Sequence, residues 1–204
     1  VEAFTKDFEK LGGKIVAAET INPDDDKYDA VISKIKPANP AAVYYGGEYP
    51  QGAPFSQQMK AAGLNVPLMG GDGLYSGKYM ELAGATADGD LATSVGAPTD
   101  TLASAKEFVD AYGKGGYADP YEAYGAYAYD AANAIIEALK TSLKDAKSAE
   151  EARKATVEAM SKVKFSGVTG DVAFDEYGDT TSRVLTVYGV KGGKWEAIKT
   201  DAFK

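Results

Sequence analysis

Val43-Tyr44-Tyr45-Gly46-Gly47-Glu48-Tyr49-Pro50 is the stretch that decides the fold class. Three β-forming residues run into paired glycines and a carboxylate, and a proline follows that suits the first turn of a helix. This describes a short buried strand handing over to a helix at its carboxyl end. After the next helix and the strand at 66–69, Gly70-Gly71-Asp72-Gly73 repeats the arrangement. In an open α/β sheet, ligands bind beyond the carboxyl ends of the strands. Two consecutive strands that deliver Glu48 and Asp72 to one edge describe a site for a cationic group.

Outward from that stretch, the first ninety or so residues alternate. Phe4, Phe8 and Leu11 share one face of an amphipathic helix over 1–11, which stops at Gly12-Gly13. A strand is expected over 14–21, then a turn at Asn22-Pro23-Asp24-Asp25-Asp26. Tyr28, Val31, Ile32 and Ile35 mark a helix, and 41–45 a buried strand. A helix over about 53–63, carrying Phe55, Met59 and Ala62, leads to a strand at 66–69, a short helix at 76–82 and a strand at 90–95. This order belongs to a parallel sheet with helices on both faces.

The character then changes. Helices are expected over 101–112, 121–143 and 148–160, the last opened by Ser148-Ala149-Glu150-Glu151 as a capping box. The final forty residues turn to β, at 172–174, 183–190 and 195–199, with a hairpin turn at Lys191-Gly192-Gly193-Lys194. Three consecutive helices without intervening strands need a sheet that this stretch does not supply. Exposed apolar surface is therefore expected on them, together with self-association or pairing with a missing part of the protein. A chain that opens inside an amphipathic helix reads as a fragment or processed product.

Composition narrows the chemistry. The 204 residues are 45% hydrophobic and 25% charged, with a formal charge of −8, no Cys and no His. The acidic balance argues against nucleic acid, whose binding is driven by Lys and Arg. Without Cys there is no disulfide or zinc–thiolate site, and without His and Cys the usual nucleophile–base pairs are absent. No window approaches the roughly 18 apolar residues of a membrane span. Any metal site would be all-oxygen; Asp24-Asp25-Asp26 and Asp171–Asp179 lack the spacing of a calcium loop and read as a solvated helix start and a β-turn. Gly71-Asp72-Gly73-Leu74-Tyr75-Ser76-Gly77-Lys78 has the wrong glycine spacing for a phosphate loop, and Tyr79 stands where Ser or Thr would be needed. No cofactor is expected.

Glu48 and Asp72 could form a glycosidase-like acid pair, cap the helices that follow, or bind an ammonium group. Of these, ammonium binding asks least of the surroundings. Among the fourteen tyrosines, Tyr49, Tyr75 and Tyr121 fall in loops or at helix starts, where an aromatic with a polar tip suits the wall of a small-molecule pocket. Tyr124, Tyr127 and Tyr129 read as packing on the long helix.

The runs Tyr28–Lys36, Ala42-Val43-Tyr44-Tyr45-Gly46-Gly47 and Met69-Gly70-Gly71-Asp72-Gly73 resemble the Leu/Ile/Val-binding proteins. These are type I periplasmic solute-binding proteins of branched-chain amino-acid ABC importers. Pro120-Tyr121, the alanine-rich helix after it and Gly170–Asp179 extend the resemblance over essentially the whole chain. It implies an incomplete two-lobe fold of Rossmann-like sheets. Residues 1–92 would belong to the second lobe without its first strand, 93–183 to part of the first lobe, and 184–204 to a return to the second. It further implies a non-enzymatic protein that traps an amino acid by lobe closure and passes it to a membrane permease. Such a protein works in the periplasm or lipid-anchored on the outer face of the membrane. A sensor or receptor domain on the same fold is the alternative. The family's ammonium-binding acid falls on Asp72, where many members have Glu, and an aromatic wall residue falls on Tyr121. Another aromatic position falls on Glu48, a departure that opens the choice of ligand beyond Leu, Ile and Val. The groups that hold the ligand carboxylate would lie in the missing part.

Overall fold

The strands β1 (Val43–Tyr45), β2 (Leu68–Gly70) and β3 (Leu91–Val95) run parallel, with Val43 opposite Leu68, Tyr45 opposite Gly70 and Gly70 also opposite Ala92. They come from a computed structural model that describes residues 1–144 and 146–203. Helices α1 (Glu2–Lys10) and α2 (Asp29–Ile35) precede them, and α3 (Tyr49–Ala61) and α4 (Gly77–Ala83) alternate with them. Two further strands, β6 (Val184–Lys191) and β7 (Lys194–Ala202), complete a sheet ordered β1-β2-β3-β6-β7. β6 runs against β3: Gly89 N–H donates to Val190 O, and Gly96 N–H donates to Val184 O. The parallel sheet therefore carries an antiparallel hairpin at one side, a common addition to α/β sheets.

The chain divides into two units, Val1–Ser94 with Val187–Lys199, and Val95–Thr186 with the residues from Thr200 on. The core of the first unit gathers Tyr28, Ile32 and Ile35 from α2, Phe55 and Met59 from α3, Leu68 from β2, and Leu74, Tyr79 and Val190, all buried. α3 begins earlier than the sequence pattern suggests. Pro50 falls in its first turn, where a missing N–H costs nothing, and Gly52 lets it approach closely: a Cβ there would lie 2.5 Å from Leu74 Cδ2.

One carboxylate ties this core together. Asp90 is fully buried and accepts from Ser56 Oγ (2.6 Å), Lys60 Nζ (2.7 Å), Tyr79 Oη (2.8 Å) and Leu68 N (2.8 Å). Lys60 also donates to Thr86 O. Tyr79 stays neutral, because burial first, and then the adjacent Asp90 charge, raise its pKa far above the ordinary phenol range.

The strand expected over 14–21 does not form. Among the described residues no strand lies outside β1, so the alternating residues there find no ladder. Ile21 alone packs on the core, while Val16 is exposed.

In the second unit, α6 (Gly125–Ser142) buries Ala126, Asp130, Ala134, Ala138 and Ser142, one residue per turn. α7 (Ala149–Met160) packs along it, with Ser142 Oγ and Thr156 Oγ1 2.7 Å apart. Ser148 caps α7 through the Glu151 N–H, and Glu151 returns a bond to Lys147 N rather than to Ser148 N. The antiparallel pair β4 (Lys164–Gly167) and β5 (Gly170–Ala173) is held to α6 by Asp130, which accepts from Val168 N, Thr169 N and Thr169 Oγ1 at 2.7–2.8 Å. α6 starts later than expected, because residues 121–124 form a turn in which Glu122 has φ +46°. α5 (Lys106–Lys114) likewise follows two short 3-10 turns at Thr99–Thr101 and Ala103–Ala105. As expected, apolar residues are exposed on α6 and α7: Ile135 and Ile136 are 49% and 48% accessible, and Tyr129 and Val157 more so. On α5 the expectation fails, because Phe108 and Val109 pack against Ala105, Ala126 and Val168.

Removing Asp90 takes the ion-pair partner from the part-buried Lys60 ammonium and strands three further donors. Asp90→Ala is therefore expected to destabilise the protein by about 3–5 kcal/mol, whereas Glu19→Ala, which breaks the exposed pair with Lys34, should change stability by less than about 0.5 kcal/mol. Urea unfolding of both variants measures the contrast.

Candidate functional site

The carboxyl edge of β1 and β2 is built by close backbone approach. Tyr45 and Gly70 are ladder partners, so the two strands end side by side. The loops beyond them touch: a Cβ on Gly73 would stand 2.8 Å from Gly47 O and 3.3 Å from both Cα and Cγ of Glu48. Glu48 and Asp72 therefore occupy adjoining loops, both solvent-exposed. Glu48 sits at the N-cap of α3, yet its side chain makes no capping bond; only its carbonyl takes part, accepting from Gly52 N. Asp72 opens a single 3-10 turn, Asp72–Leu74, closed by Tyr75 N–H on Asp72 O (2.9 Å). Leu74 is fully buried and draws the middle of the loop into the core, where only glycine fits at position 70: a Cβ there would meet Leu74 Cδ1 at 2.5 Å.

The surroundings are aromatic. Tyr44 stacks on Phe4 (3.7 Å, 4°), while Tyr45 lies on the other face against Phe55 (6.2 Å). The Tyr45 hydroxyl is held above the usual phenol range, mainly by burial and then by the nearby Tyr28 and Glu48. Tyr49 is half-buried against the core. Tyr75 stacks on Tyr188 (4.0 Å, 28°) and lies 5.8 Å from the Trp195 ring. Four of the sequence-predicted site residues, Glu48, Tyr49, Asp72 and Tyr75, thus fall at one sheet edge of the first unit.

Tyr121 belongs to the second unit. It meets Phe108 and Tyr112 edge-on, each at 5.6 Å, and a Cβ on Gly125 would meet its Cβ at 2.6 Å. Burial, and secondarily Asp100, raise its hydroxyl pKa. Tyr127, read from sequence as packing, donates to Val95 O (3.0 Å), its hydroxyl filling the space that a side chain on Gly96 would need.

Sequence reasoning missed the hairpin residues Tyr188 and Trp195. Trp195 Nε1 donates to Ser76 O (2.9 Å), closing the Asp72 loop from a position 119 residues away. No local pattern signals such a link. Among the described residues no cluster of three or more potential metal ligands occurs, and no helix is long and apolar enough to cross a membrane.

Residues 1–194 match the family described as "Periplasmic binding protein". The chain is 32% identical over 191 residues to Leu/Ile/Val-binding protein homolog 1 of Brucella abortus, covering 94% of this chain and 48% of the relative. It is 32% identical over 183 residues to the leucine-, isoleucine-, valine-, threonine- and alanine-binding protein of Pseudomonas aeruginosa, covering 90% of this chain and 47% of that one. Among solved structures, the leucine-binding protein LivK of Thermotoga maritima superposes with a TM-score of 0.85 at 26% identity, over 98% of this chain and 55% of its own. The substrate-binding protein LivJ of Streptococcus pneumoniae, solved with isoleucine, gives 0.79 at 27% identity, over 99% and 56%. The chain thus spans about half the length of the curated relatives it matches. Its fold is that of these type I solute-binding proteins, with the parallel sheet and alternating helices expected from sequence.

The contact between the two acid-bearing loops depends on the absence of a side chain at position 73. Gly73→Ala is expected to push the loops apart and destabilise the protein by about 1–3 kcal/mol, while Gly71→Ala, with no heavy atom within 4 Å of the added Cβ, should have a much smaller effect. Thermal melts of the two variants test this.

Proposed function

We propose that this chain, which belongs to the periplasmic binding protein family, is part of the solute-binding component of an amino-acid ABC importer. The ligand would be a branched-chain amino acid or a related amine-bearing solute. The observation that carries this reading is the adjoining of the Glu48 and Asp72 loops at the carboxyl edge of a parallel sheet. Asp72 receives the ligand ammonium through charge-assisted hydrogen bonds. Tyr49 and Tyr75 border it with apolar ring and polar tip. Glu48, at a position where an aliphatic ligand side chain gains nothing from a charge, widens the range toward polar or amine-bearing solutes. The names of the relatives, which are binding and transport proteins for Leu, Ile and Val, favour the importer over a sensor or receptor.

In this reading the protein does no covalent chemistry and needs no cofactor. It works outside the cytoplasm, in the periplasm or lipid-anchored at the membrane face, and delivers ligand to a permease after the two lobes close. The first unit supplies part of one lobe and the second unit part of the other. The exposed apolar residues of α6 are covered by the remainder of the protein or, in this chain by itself, by self-association.

Two measurements test the proposal. Calorimetry of the full-length protein against L-leucine, L-threonine and L-alanine should show Asp72→Ala weakening binding about a hundredfold, from the loss of about 3 kcal/mol of charged hydrogen bonding; unchanged affinity would remove Asp72 from the site. In analytical ultracentrifugation the 204-residue chain should sediment as an associating species. Combining Ile135→Glu with Ile136→Glu should shift it toward monomer, and a dilute monomer before substitution would contradict the covered face.

A further inference from the structure

The Asp72 loop is supported both locally and from a distant part of the sequence. At its start, β2 and the buried Leu74 fix Gly70 to Leu74 from inside the core. At its end, support comes from the β6–β7 hairpin, the part of the first unit farthest away in sequence. Trp195 Nε1 donates to Ser76 O (2.9 Å), and the same carbonyl accepts from Tyr79 N (3.1 Å) in the first turn of α4. The Trp195 ring lies 5.8 Å from that of Tyr75 and 5.4 Å from that of Tyr79, while the Tyr188 ring stacks on Tyr75 at 4.0 Å. The Trp195 and Tyr188 rings and the Trp195 hydrogen bond thus hold Tyr75 and Ser76, the residues immediately after the turn that carries Asp72.

The hairpin is itself pinned. Gly192 N–H donates to Asp88 Oδ1 (2.8 Å), Gly89 N–H to Val190 O (2.9 Å) and Val190 N–H to Asp90 O (2.8 Å). A Cβ on Gly189 would lie 2.7 Å from Ile198 Cδ1, so the hairpin strands are tightly packed at that point. Trp195 therefore transmits the rigidity of the sheet to the loop.

From this geometry we infer that Trp195 is a positioning residue for ligand recognition: through Ser76 and Tyr75 it holds the Asp72 turn in the geometry that binds the ligand ammonium. This rests on the reading of Asp72 as the ammonium anchor. The Asp72–Leu74 turn is closed by two backbone hydrogen bonds, Leu74 N to Gly71 O (3.1 Å) and Tyr75 N to Asp72 O (2.9 Å); a turn this short has little stability of its own, so its orientation is set by what holds its two ends. Charge-assisted recognition tolerates displacement of a carboxylate by only about half an ångström before affinity falls. Trp195 touches no ligand in this account; it acts through the loop.

The test uses the full-length protein with Trp195→Phe, which keeps a ring but removes the N–H donor, and Tyr188→Leu, which removes the stacking partner and leaves the donor. Hydrogen–deuterium exchange reads residues 71–76, with residues 29–35 in α2 as an internal control, and calorimetry reads affinity for L-leucine. Both variants should exchange faster at 71–76 and not at 29–35. Both should bind L-leucine about tenfold more weakly, the effect of one lost hydrogen bond or ring contact. Unchanged exchange at 71–76 in both variants overturns the inference. So does faster exchange with unaltered affinity, if Asp72→Ala abolishes binding. If instead Asp72→Ala leaves binding intact, the ammonium-anchor reading falls, while exchange at 71–76 still decides whether Trp195 holds the loop.

Discussion

The buried carboxylate of Asp90 is the interaction on which the first unit depends. An ion pair taken out of water is stabilising only when its remaining hydrogen-bonding capacity is met. Here Lys60, Ser56, Tyr79 and the Leu68 amide converge on two oxygens. These donors come from α3, α4 and the start of β2, while Asp90 itself leads into β3. One side chain thereby fixes two helices and two strands in a common frame. Within this dry network each bond strengthens the others, and none can be removed without orphaning a buried group. The positions of the strand ends, and hence of Glu48 and Asp72, follow from that frame.

The second unit uses the same device on a smaller scale. Asp130 sits in the buried stripe of α6 and gathers Val168 N, Thr169 N and Thr169 Oγ1, the turn that joins β4 to β5. Gly167 makes room for it, since a Cβ there would lie 2.5 Å from Asp130 Oδ1. An alanine-rich helix has few large side chains with which to lock a neighbour in place. A buried acid aimed at backbone amides supplies the specificity that packing of small residues lacks.

Much of this was legible in the sequence where the signal is local. The hydrophobic spacing of Tyr28, Val31, Ile32 and Ile35 marks α2, the glycines after Tyr45 and Met69 mark the strand ends, and Ser148 marks the start of α7. Signals that depend on a distant partner were not legible. Residues 14–21 alternate like a strand, but a strand exists only where a ladder receives it, and β1 has none on that side among the described residues. Asp90 reads as the polar start of a strand, with nothing to announce that Lys60 and Tyr79 will converge on it. The bond from Trp195 to Ser76 spans 119 positions, and one tryptophan in a hairpin carries no address.

The acids of this chain fall into two physical classes. Asp90 and Asp130 are buried, and their oxygens are occupied by donors from the protein itself, so they hold structure and have no capacity for a ligand. Glu48 and Asp72 are exposed, at the carboxyl edge of the parallel strands. The two classes are mechanically connected. Asp90 fixes the start of β3, against which the β6–β7 hairpin is pinned through Val190, and the hairpin in turn grips the residues after Asp72. A cation-binding group gains affinity when it is already oriented before the ligand arrives, because the cost of ordering has been met during folding. On the proposed reading of Asp72 as the ammonium anchor, the buried acid acts on the exposed one through a chain of hydrogen bonds and rings.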